Sequence, residues 1–543
     1  MRLRRHPLFC ASALCLGLLV QPANPQSPAL DGNKPERLEW FRDQGLGLFI
    51  HWSVDSQLGV IISHSLAGAS DDYVNRFYKD LPRTFNPTHF DPDALARLAS
   101  VSGFRYMMFT TKHHNGFCMW DTKTVPFNIL HTPYGKDITS ELFQSFRGQG
   151  IATGAYFSPD DFLWLHTHGK QVERLVPAVQ PSANPDLLAL DQAQVTELMT
   201  RYGPVSAFFF DGEAKGLREL VWKLQPDAVV TRGAIETPEQ NVPGAPLLGA
   251  WEANMTLGTA WGYQPSDERY KSVQELLRIL VHTRSRGGNL LLNVGLKPDG
   301  SLPTEQEDSL RTLGSWMFIN SDAIYATRPW VVTNEGNVWF TRSKDRHSLY
   351  AIVEDDDNAP VWKRGTTREF ILKTVRATSK TTVGVLGQDD RIVEYRPNLN
   401  PQSTFHQKAD GLHIRVMRAQ RLRDNDSWPY PSVIHLTDVE EAFTPPIVHT
   451  LAATRSGAAV KLHGDWQGAA DAPGARFSFD YRIITGEDMQ LRLHGWQSLP
   501  AQPAAHPGAY AAEFKPDPKE RYEVRAVLHH PLLTLYGEPK VLK

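Results

Sequence analysis

The chain has 543 residues, 41% of them hydrophobic and 22% charged, a composition typical of a globular protein with a large core. Its 57 Lys and Arg residues nearly balance 60 Asp and Glu residues, so it lacks the basic field that binds nucleic acid or an anionic membrane surface. At about 150 residues per domain, this length predicts roughly three domains.

The N-terminus predicts an export signal. Three of the first five residues are arginine, residues 8–20 are apolar but too few to span a bilayer, and residues 21–30 are small, polar and Pro-rich. We interpret residues 1–26 as a signal peptide and expect a periplasmic or secreted product with no membrane association after signal removal. Cys10 and Cys15 leave with the signal, so Cys118 alone remains and no intramolecular disulfide is expected.

From residue 27 to 330 short apolar strands alternate with amphipathic helices. The predicted strands are 46–52, 106–110, 153–158, 207–210, 228–231 and 290–294. The predicted helices are 92–102, 138–149, 192–202, 216–224, 272–284 and 303–320. Such repeated units imply an α/β fold with a parallel sheet, and their length fits a (β/α)8-like barrel better than an open sheet. No Gly-rich phosphate loop accompanies them, so no dinucleotide cofactor is expected.

The pattern changes near residue 330. Short alternating runs at 338–342, 348–353, 369–372, 382–386, 411–416 and 432–436 predict a C-terminal β-sandwich over 331–442. Further strands near 459–463, 476–483, 489–493 and 522–528 predict a small accessory β-rich domain over 443–543.

Polar residues stand at the ends of several predicted barrel strands. In a parallel barrel these ends meet at one mouth, where a site can form. The residues concerned are His51, His113, His114, Tyr156, Asp211, Arg232 and Asn293. Taken alone, Asp211 after the run of three phenylalanines would be a helix cap, and a single histidine would be a core residue.

The His113-His114 doublet raises the question of a metal. Adjacent residues on an extended chain point in opposite directions, so a doublet chelates one ion poorly. No HExxH, HxH or cysteine cluster accompanies it. We therefore expect neutral imidazoles that form hydrogen bonds, with no metal.

Glycosidases need two carboxyl groups, one ionised and one protonated. Asp211 is the natural nucleophile. The proton donor comes from a following loop, where Glu239 and Glu252 are the candidates, and either of them could instead be a solvated acid.

Seven segments together resemble family-29 glycoside hydrolases, the retaining exo-α-L-fucosidases. They are, in chain order, GLFIHW, FTTKHHNGFCMWDTK, GAYFSP, FFFDG, PLLGAWEANMT, AWGY and GGNLLLNVG, and the resemblance as a whole runs from about residue 36 to 440. The resemblance implies a metal-free enzyme without cofactors that acts on fucosylated glycans. No pattern in the sequence indicates an oligomeric state.

The resemblance also implies roles for individual residues. Asp211 matches the nucleophile, Glu239 is similar to the acid/base of several members, and Glu252 matches a signature acid that is more in keeping with a structural role. The residues expected to bind the sugar are His51, His113, His114, Tyr156, Trp120 and Arg232.

The chain departs from the family pattern at several positions. Where many relatives have a Glu-Trp pair, this chain reads Ile62-Ser63-His64-Ser65, so we expect His64 to replace a sugar contact. Phe209 stands in place of a tryptophan, and Ala250 and Asn254 in place of Lys and Cys. These changes leave the mechanism intact, but they leave the linkage and the aglycone preference open. Two alternative functions are a secreted fucose-binding protein without catalysis, against which the presence of both carboxyl groups argues, and a related α-L-galactosidase.

Overall fold

The computed structural model describes residues 32–174, 176–247, 249–355, 361–456, 459–484 and 495–542. The predicted signal peptide and the predicted strand 489–493 lie outside the described residues.

In the described part of the chain, seven parallel strands form the first sheet, in the order β5-β4-β3-β2-β1-β7-β6. They are β1 Leu46–His51, β2 Tyr106–Lys112, β3 Ala152–Phe157, β4 Ala207–Phe210, β5 Val229–Val230, β6 Glu252–Thr256 and β7 Asn289–Gly295. Their side chains are almost all buried, as expected for a parallel sheet covered on both faces. Strand β6 was not predicted, because the sequence EANMT carries polar residues that this interior position buries.

Nine described α-helices accompany this sheet. They are α1 Pro35–Gln44, α2 Asp71–Thr84, α3 Pro92–Val101, α4 Ile138–Gly148, α5 Phe162–Thr167, α6 Pro185–Arg201, α7 Arg218–Leu224, α8 Val273–Ser285 and α9 Thr304–Asn320. Helices α1, α2 and α5 were not predicted. Helix α6 begins seven residues earlier than predicted, since Asn184 caps it and Pro185 suits the first helical position. In the described residues, no helix is both long and apolar enough to cross a bilayer.

The sheet curls, and its edge strands are β5 and β6. The segment 236–239 lies alongside β6, because Glu236 bridges to Trp251 and Glu239 to Asn254 in parallel orientation. An irregular segment thus occupies the place of an eighth strand, consistent with the expected (β/α)8-like barrel. We call the carboxyl-terminal ends of the strands the mouth of the barrel and the amino-terminal ends its floor.

Two antiparallel sheets follow the barrel. The first has the order β12-β15-β10-β9-β8 and the second β11-β14-β13, where the strands are β8 Thr327–Glu335, β9 Val338–Ser343, β10 Ser348–Val353, β11 Thr367–Leu372, β12 Val375–Val385, β13 Thr404–Lys408, β14 Gly411–Met417 and β15 Ser432–Glu441. Residues such as Phe340, Leu349, Val416 and Leu436 form a shared core. This arrangement is the antiparallel sandwich that the alternating pattern indicates.

The last part of the described chain forms two more antiparallel sheets. In one of them, β16, β17 and β22 all pair with β18. The other has the order β20-β19-β23-β24, and in it β21 also pairs with β19 and β25 with β23. The strands are β16 Ile447–Thr450, β17 Thr454–Ser456, β18 Ala459–Gln467, β19 Arg476–Ile483, β20 Gln497–Ser498, β21 Gln502–Pro503, β22 Gly508–Phe514, β23 Tyr522–His530, β24 Leu533–Tyr536 and β25 Lys540–Val541. A separate hydrophobic core around Trp466, Phe477 and Leu528 supports them.

Candidate active site

Asp211 follows strand β4 at the mouth of the barrel, and four side chains surround its carboxylate. Tyr156 donates its hydroxyl to Oδ2 at 2.7 Å, and His114 Nε2 lies 3.4 Å from the same atom. Oδ1 faces two guanidinium groups, Arg174 Nη2 at 3.1 Å and Arg232 Nη1 at 3.5 Å. Burial alone would raise the pKa of Asp211, but Arg174, His114 and Arg232 hold it well below its usual range. The carboxylate is therefore ionised at neutral pH, as a nucleophile must be.

The chain turns sharply at Gly212, immediately after this carboxylate. Its φ is +155°, and a side chain there would place its Cβ 2.7 Å from Asp160 Oδ1. Glycine is therefore required for Asp211 to lie next to the loop that follows β3.

Three buried histidines line the mouth beside Asp211. Each Nδ1 contacts a neutral side chain: Asn293 Oδ1 for His51 at 2.6 Å, Ser63 Oγ for His113 at 2.6 Å, and Ser158 Oγ for His114. Burial lowers the pKa of His51 to about 3, that of His114 to about 4, and that of His113 well below its usual value. Neutral imidazoles can both donate to and accept from sugar hydroxyls, so these rings suit an uncharged ligand.

A buried ionic network fixes the segment that carries the histidine doublet. Lys112, the last residue of β2, is completely buried, and its Nζ contacts Asp161 at 3.3 Å, Asp191 at 2.9 Å and Gln194 at 2.8 Å. Breaking such a buried pair costs about 3–5 kcal/mol, so the end of β2 is held rigidly. His113 follows Lys112 directly, so its backbone position is fixed by the same network.

His64 lies near the same histidines from a different loop. Its ring centroid is 5.5 Å from that of His114 and 6.4 Å from that of His113. The preceding Ser63 has a φ of 63°, and its backbone N–H donates to the buried Asp55 carboxylate at 2.6 Å. That hydrogen bond holds the turn that presents His64 to the mouth.

Arg232 connects Asp211 with Glu239. Its Nη2 donates to Glu239 Oε2 at 3.0 Å, while its Nη1 faces Asp211. Arg232 itself packs over the ring of Phe209 at 4.5 Å and donates to Thr237 Oγ1 at 3.1 Å. The side chain of Glu239 is 46% exposed, so it faces the solvent side of the mouth.

Glu252 lies deeper in the barrel than Asp211. It is the first residue of β6, is fully buried, and accepts a hydrogen bond at 2.9 Å from Tyr106, the first residue of β2. The interior side chains of Phe49 and Phe209 lie between the two acids. They precede His51 and Asp211 by two residues on their strands, so they lie one layer closer to the floor, and Tyr106 lies below them. This placement at the floor favours Glu239 over Glu252 as the partner of Asp211.

Trp120 is placed away from the group of residues at the mouth. It was expected to bind the sugar, but the indole is fully buried and donates to Glu197 on helix α6 at 2.9 Å. The structure thus brings together nine of the eleven residues singled out by sequence: His51, His64, His113, His114, Tyr156, Asp211, Arg232, Glu239 and Asn293.

Two residues at the mouth were not singled out by sequence. Arg174 contacts Asp211 from the loop that follows α5, where no strand or motif indicated its position. Trp261 lies over His51, with ring centroids 5.0 Å apart, and its backbone oxygen accepts a hydrogen bond from Asn293 at 2.7 Å. It is half-buried and offers an apolar surface beside the histidines. Only its place in the motif AWGY could have indicated it.

In the described residues, one group has the geometry of metal ligands: His113, His114 and Asp211, whose ligand atoms lie within 4.8 Å of one another. The guanidinium groups of Arg174 and Arg232 place positive charge on the same carboxylate. Because like charges repel at such short distance, this environment disfavours a cation there.

A parallel barrel with two carboxyl groups bridged by an arginine at its mouth, and with neutral imidazoles around them, has the layout of a glycoside hydrolase. The family model "Alpha-L-fucosidase" matches residues 20–322. A putative α-L-fucosidase of Caenorhabditis elegans is 29% identical over 433 residues, covering 70% of this chain and 88% of that protein. The α-L-fucosidase of Dictyostelium discoideum is 27% identical over 451 residues, covering 74% of this chain and 92% of that protein.

Solved structures of fucosidases share the fold of this chain. Alpha-L-fucosidase isoenzyme 1 from Paenibacillus thiaminolyticus superposes with a TM-score of 0.60 at 25% identity, covering 75% of this chain and 99% of that chain. A family-29 fucosidase from Bacteroides thetaiotaomicron, trapped as a covalent intermediate with 2-fluoro-fucosyl fluoride, has a TM-score of 0.60 at 23% identity and covers 77% of this chain and all of that chain. The chain belongs to the α-L-fucosidase family of glycoside hydrolases.

Proposed function

We propose that this protein is a retaining exo-α-L-fucosidase that removes terminal α-L-fucose from fucosylated glycans, with Asp211 as nucleophile and Glu239 as general acid and base. The observation that carries the assignment is the contact of one guanidinium, Arg232, with both carboxyl groups. Retaining glycosidases keep these groups about 5–5.5 Å apart, and a shared arginine supports such close spacing.

In the first step, Asp211 attacks the anomeric carbon and forms a covalent ester, while Glu239 gives its proton to the leaving glycosidic oxygen. In the second step, Glu239 takes a proton from water, the water oxygen bonds to the anomeric carbon, and the ester bond breaks with its electron pair returning to Asp211. Each step inverts the anomeric centre, so the product keeps the α configuration.

Several contacts at the mouth support a deoxy sugar as ligand. His51, His64, His113 and His114 offer hydrogen-bonding groups to hydroxyls, and Tyr156 reaches Asp211 at the point of attack. The half-buried indole of Trp261 beside His51 suits the 5-methyl group that fucose has in place of a hydroxymethyl group.

The test is to follow hydrolysis of an aryl α-L-fucoside by proton NMR. We expect α-L-fucose to appear first and then mutarotate, whereas initial β-L-fucose would contradict a retaining mechanism. Binding of fucose without any hydrolysis would instead support the non-catalytic alternative. The matched aryl α-L-galactoside, which adds one hydroxyl, should have a kcat/KM lower by about tenfold or more, and equal rates would support an α-L-galactosidase.

We further propose that residues 1–26 direct export to the periplasm or medium and that the mature chain comprises domains at 27–330, 331–442 and 443–543. The two β-rich regions have hydrophobic cores of their own, which supports three domains, although the core of the barrel extends to Trp339 and Ile352 of the first β-rich region. Strand β8, Thr327–Glu335, already pairs in the first antiparallel sheet and therefore favours a first boundary just before residue 327. N-terminal sequencing of the protein recovered outside the cytoplasm tests the first proposal, and limited proteolysis near residues 326 and 443 tests the second.

A further inference from the structure

Arg174 contacts both the proposed nucleophile and a second buried acid. Its Nε donates to Asp160 Oδ2 at 2.8 Å, and its Nη2 donates to Asp211 Oδ1 at 3.1 Å and to the Asp211 backbone oxygen at 3.4 Å. Three acceptors therefore fix this guanidinium, although it comes from a loop.

The pairing with Asp160 matters because the charge of Asp211 changes during the reaction. In the free enzyme, Arg174 lies between two carboxyl groups. When Asp211 becomes a neutral ester, Asp160 is still paired with Arg174 and is itself almost fully buried behind it. The Arg174 side chain is 32% exposed, so without a partner it could turn toward water, and the pair with the buried Asp160 keeps it beside the ester.

We propose that Arg174 is a catalytic residue of the second half-reaction, where it makes Asp211 a better leaving group. This inference rests on the proposed function. As water attacks the anomeric carbon and gives its proton to Glu239, the bond from that carbon to the Asp211 oxygen breaks. The electron pair of this bond returns to the carboxylate, and the negative charge develops next to Arg174 Nη2.

The same contact has the opposite effect on the first half-reaction. There Asp211 loses negative charge as it attacks, so Arg174 stabilises the starting carboxylate more than the transition state. Removal of Arg174 should therefore slow hydrolysis of the glycosyl-enzyme and leave its formation unchanged or faster. Loss of a structural arginine would slow both steps.

The experiment compares the wild type with Arg174→Gln on a series of aryl α-L-fucosides of decreasing phenol pKa. A hydrogen bond to a charged group corresponds to about a 10- to 100-fold change in rate. We expect kcat on the most activated substrate to fall by that factor, with kcat/KM nearly unchanged and KM lower in proportion. Rapid mixing should show a burst of about one equivalent of phenolate, and added methanol should raise kcat by accepting the glycosyl group.

Two further variants serve as controls. Lys170→Gln removes an exposed cation from the same loop and should leave all constants unchanged. Arg174→Lys keeps the charge but not the planar donor set, so it should restore part of the lost kcat. It also keeps the test decisive if the glutamine variant folds poorly.

Equal losses in kcat and kcat/KM without a burst in either Arg174 variant would overturn the inference. A wild type that hydrolyses no aryl fucoside would instead overturn the proposed function, so the two failures are distinguishable.

Discussion

Asp211 and Glu252 are both acids of the barrel, the first 18% exposed and the second fully buried, and each accepts a hydrogen bond from a tyrosine of another strand. The distances are similar, 2.7 Å from Tyr156 to Asp211 and 2.9 Å from Tyr106 to Glu252. Their pKa values nevertheless differ in direction. That of Asp211 lies well below its usual range, whereas burial raises the pKa of Glu252 to about 7.

The difference comes from the neighbouring cations. Asp211 at the mouth contacts Arg174 and Arg232, while Glu252 at the floor has no ion-pair partner among the described residues. Burial in itself therefore produces a neutral acid, and guanidinium groups are needed to keep a buried carboxylate ionised and able to react. Asp211, near the mouth and paired with arginines, is therefore suited to catalysis, whereas Glu252, at the floor and without such a partner in the described residues, is suited to a structural role.

The largest effect is expected for Asp211→Gly. Loss of the nucleophile should lower kcat on an aryl α-L-fucoside by about 10⁴-fold or more. Added azide should then restore turnover by attacking from the β face, giving β-L-fucosyl azide. Circular dichroism and the thermal midpoint should confirm that the variant is folded. Retention of most of the activity would show that the nucleophile is another residue.

Substituting the two glutamates tests the assignment of the acid/base. Glu239→Ala should lower kcat by about 10²- to 10⁴-fold on substrates with poor leaving groups. Azide should rescue this variant on activated substrates by attacking the glycosyl-enzyme from the α face, so the product is α-L-fucosyl azide. Glu252→Ala serves as the matched control and should show no rescue. Rescue of Glu252→Ala alone would reverse the assignment.

Much of the mouth could be predicted because strand ends are visible in the sequence. The run Phe208–Phe210 indicates a buried strand, and the residue after it must then lie at the carboxyl-terminal edge of a parallel sheet. His51, His113 and Tyr156 likewise stand at or near the ends of predicted strands. In each case a short-range pattern specifies the position, and the barrel topology brings the positions together.

Arg174, Trp120 and Glu252 occupy positions that the ends of the predicted strands do not indicate. Arg174 lies 18 residues after Tyr156 in a loop, and only the folded chain reveals that Asp160 holds it against Asp211. Trp120 belongs to a motif that contains site residues, yet its indole turns to Glu197. The depth of Glu252 depends on strand β6, which is buried although its sequence is polar and does not indicate a strand. Long-range packing determines all three positions.

Glu252→Gln tests the protonation of the acid at the floor. The pKa of Glu252 is about 7 in the folded state and about 4.5 in the unfolded state, so between these two pH values the native state binds more protons than the unfolded state. This contribution to stability is complete below about pH 4.5 and is lost as the pH rises through 7. The stability of the wild type relative to the variant should fall by about 3 kcal/mol from pH 4.5 to 8.

Denaturant unfolding at both pH values, followed by tryptophan fluorescence, measures this difference. Glu305→Gln, on the exposed surface of α9, provides the control and should show no such pH-dependent gap. A gap for Glu252→Gln that stays constant with pH would mean that Glu252 is ionised in the native state, and the contrast with Asp211 would fail.

The two tyrosines allow the comparison to be made with one and the same substitution. Tyr156→Phe removes a hydrogen bond to an ionised carboxylate at the reaction centre, so kcat/KM should fall by about 10- to 100-fold with little change in stability. Tyr106→Phe leaves the buried Glu252 carboxyl short of a donor, so the free energy of unfolding should fall by about 1–3 kcal/mol while kcat/KM stays within about threefold. Both variants are assayed for aryl α-L-fucoside hydrolysis and for denaturant unfolding. If both substitutions changed kcat/KM and the free energy of unfolding in the same way, the mouth and the floor would act as one network. The layer of Phe49 and Phe209 between them would then transmit the change.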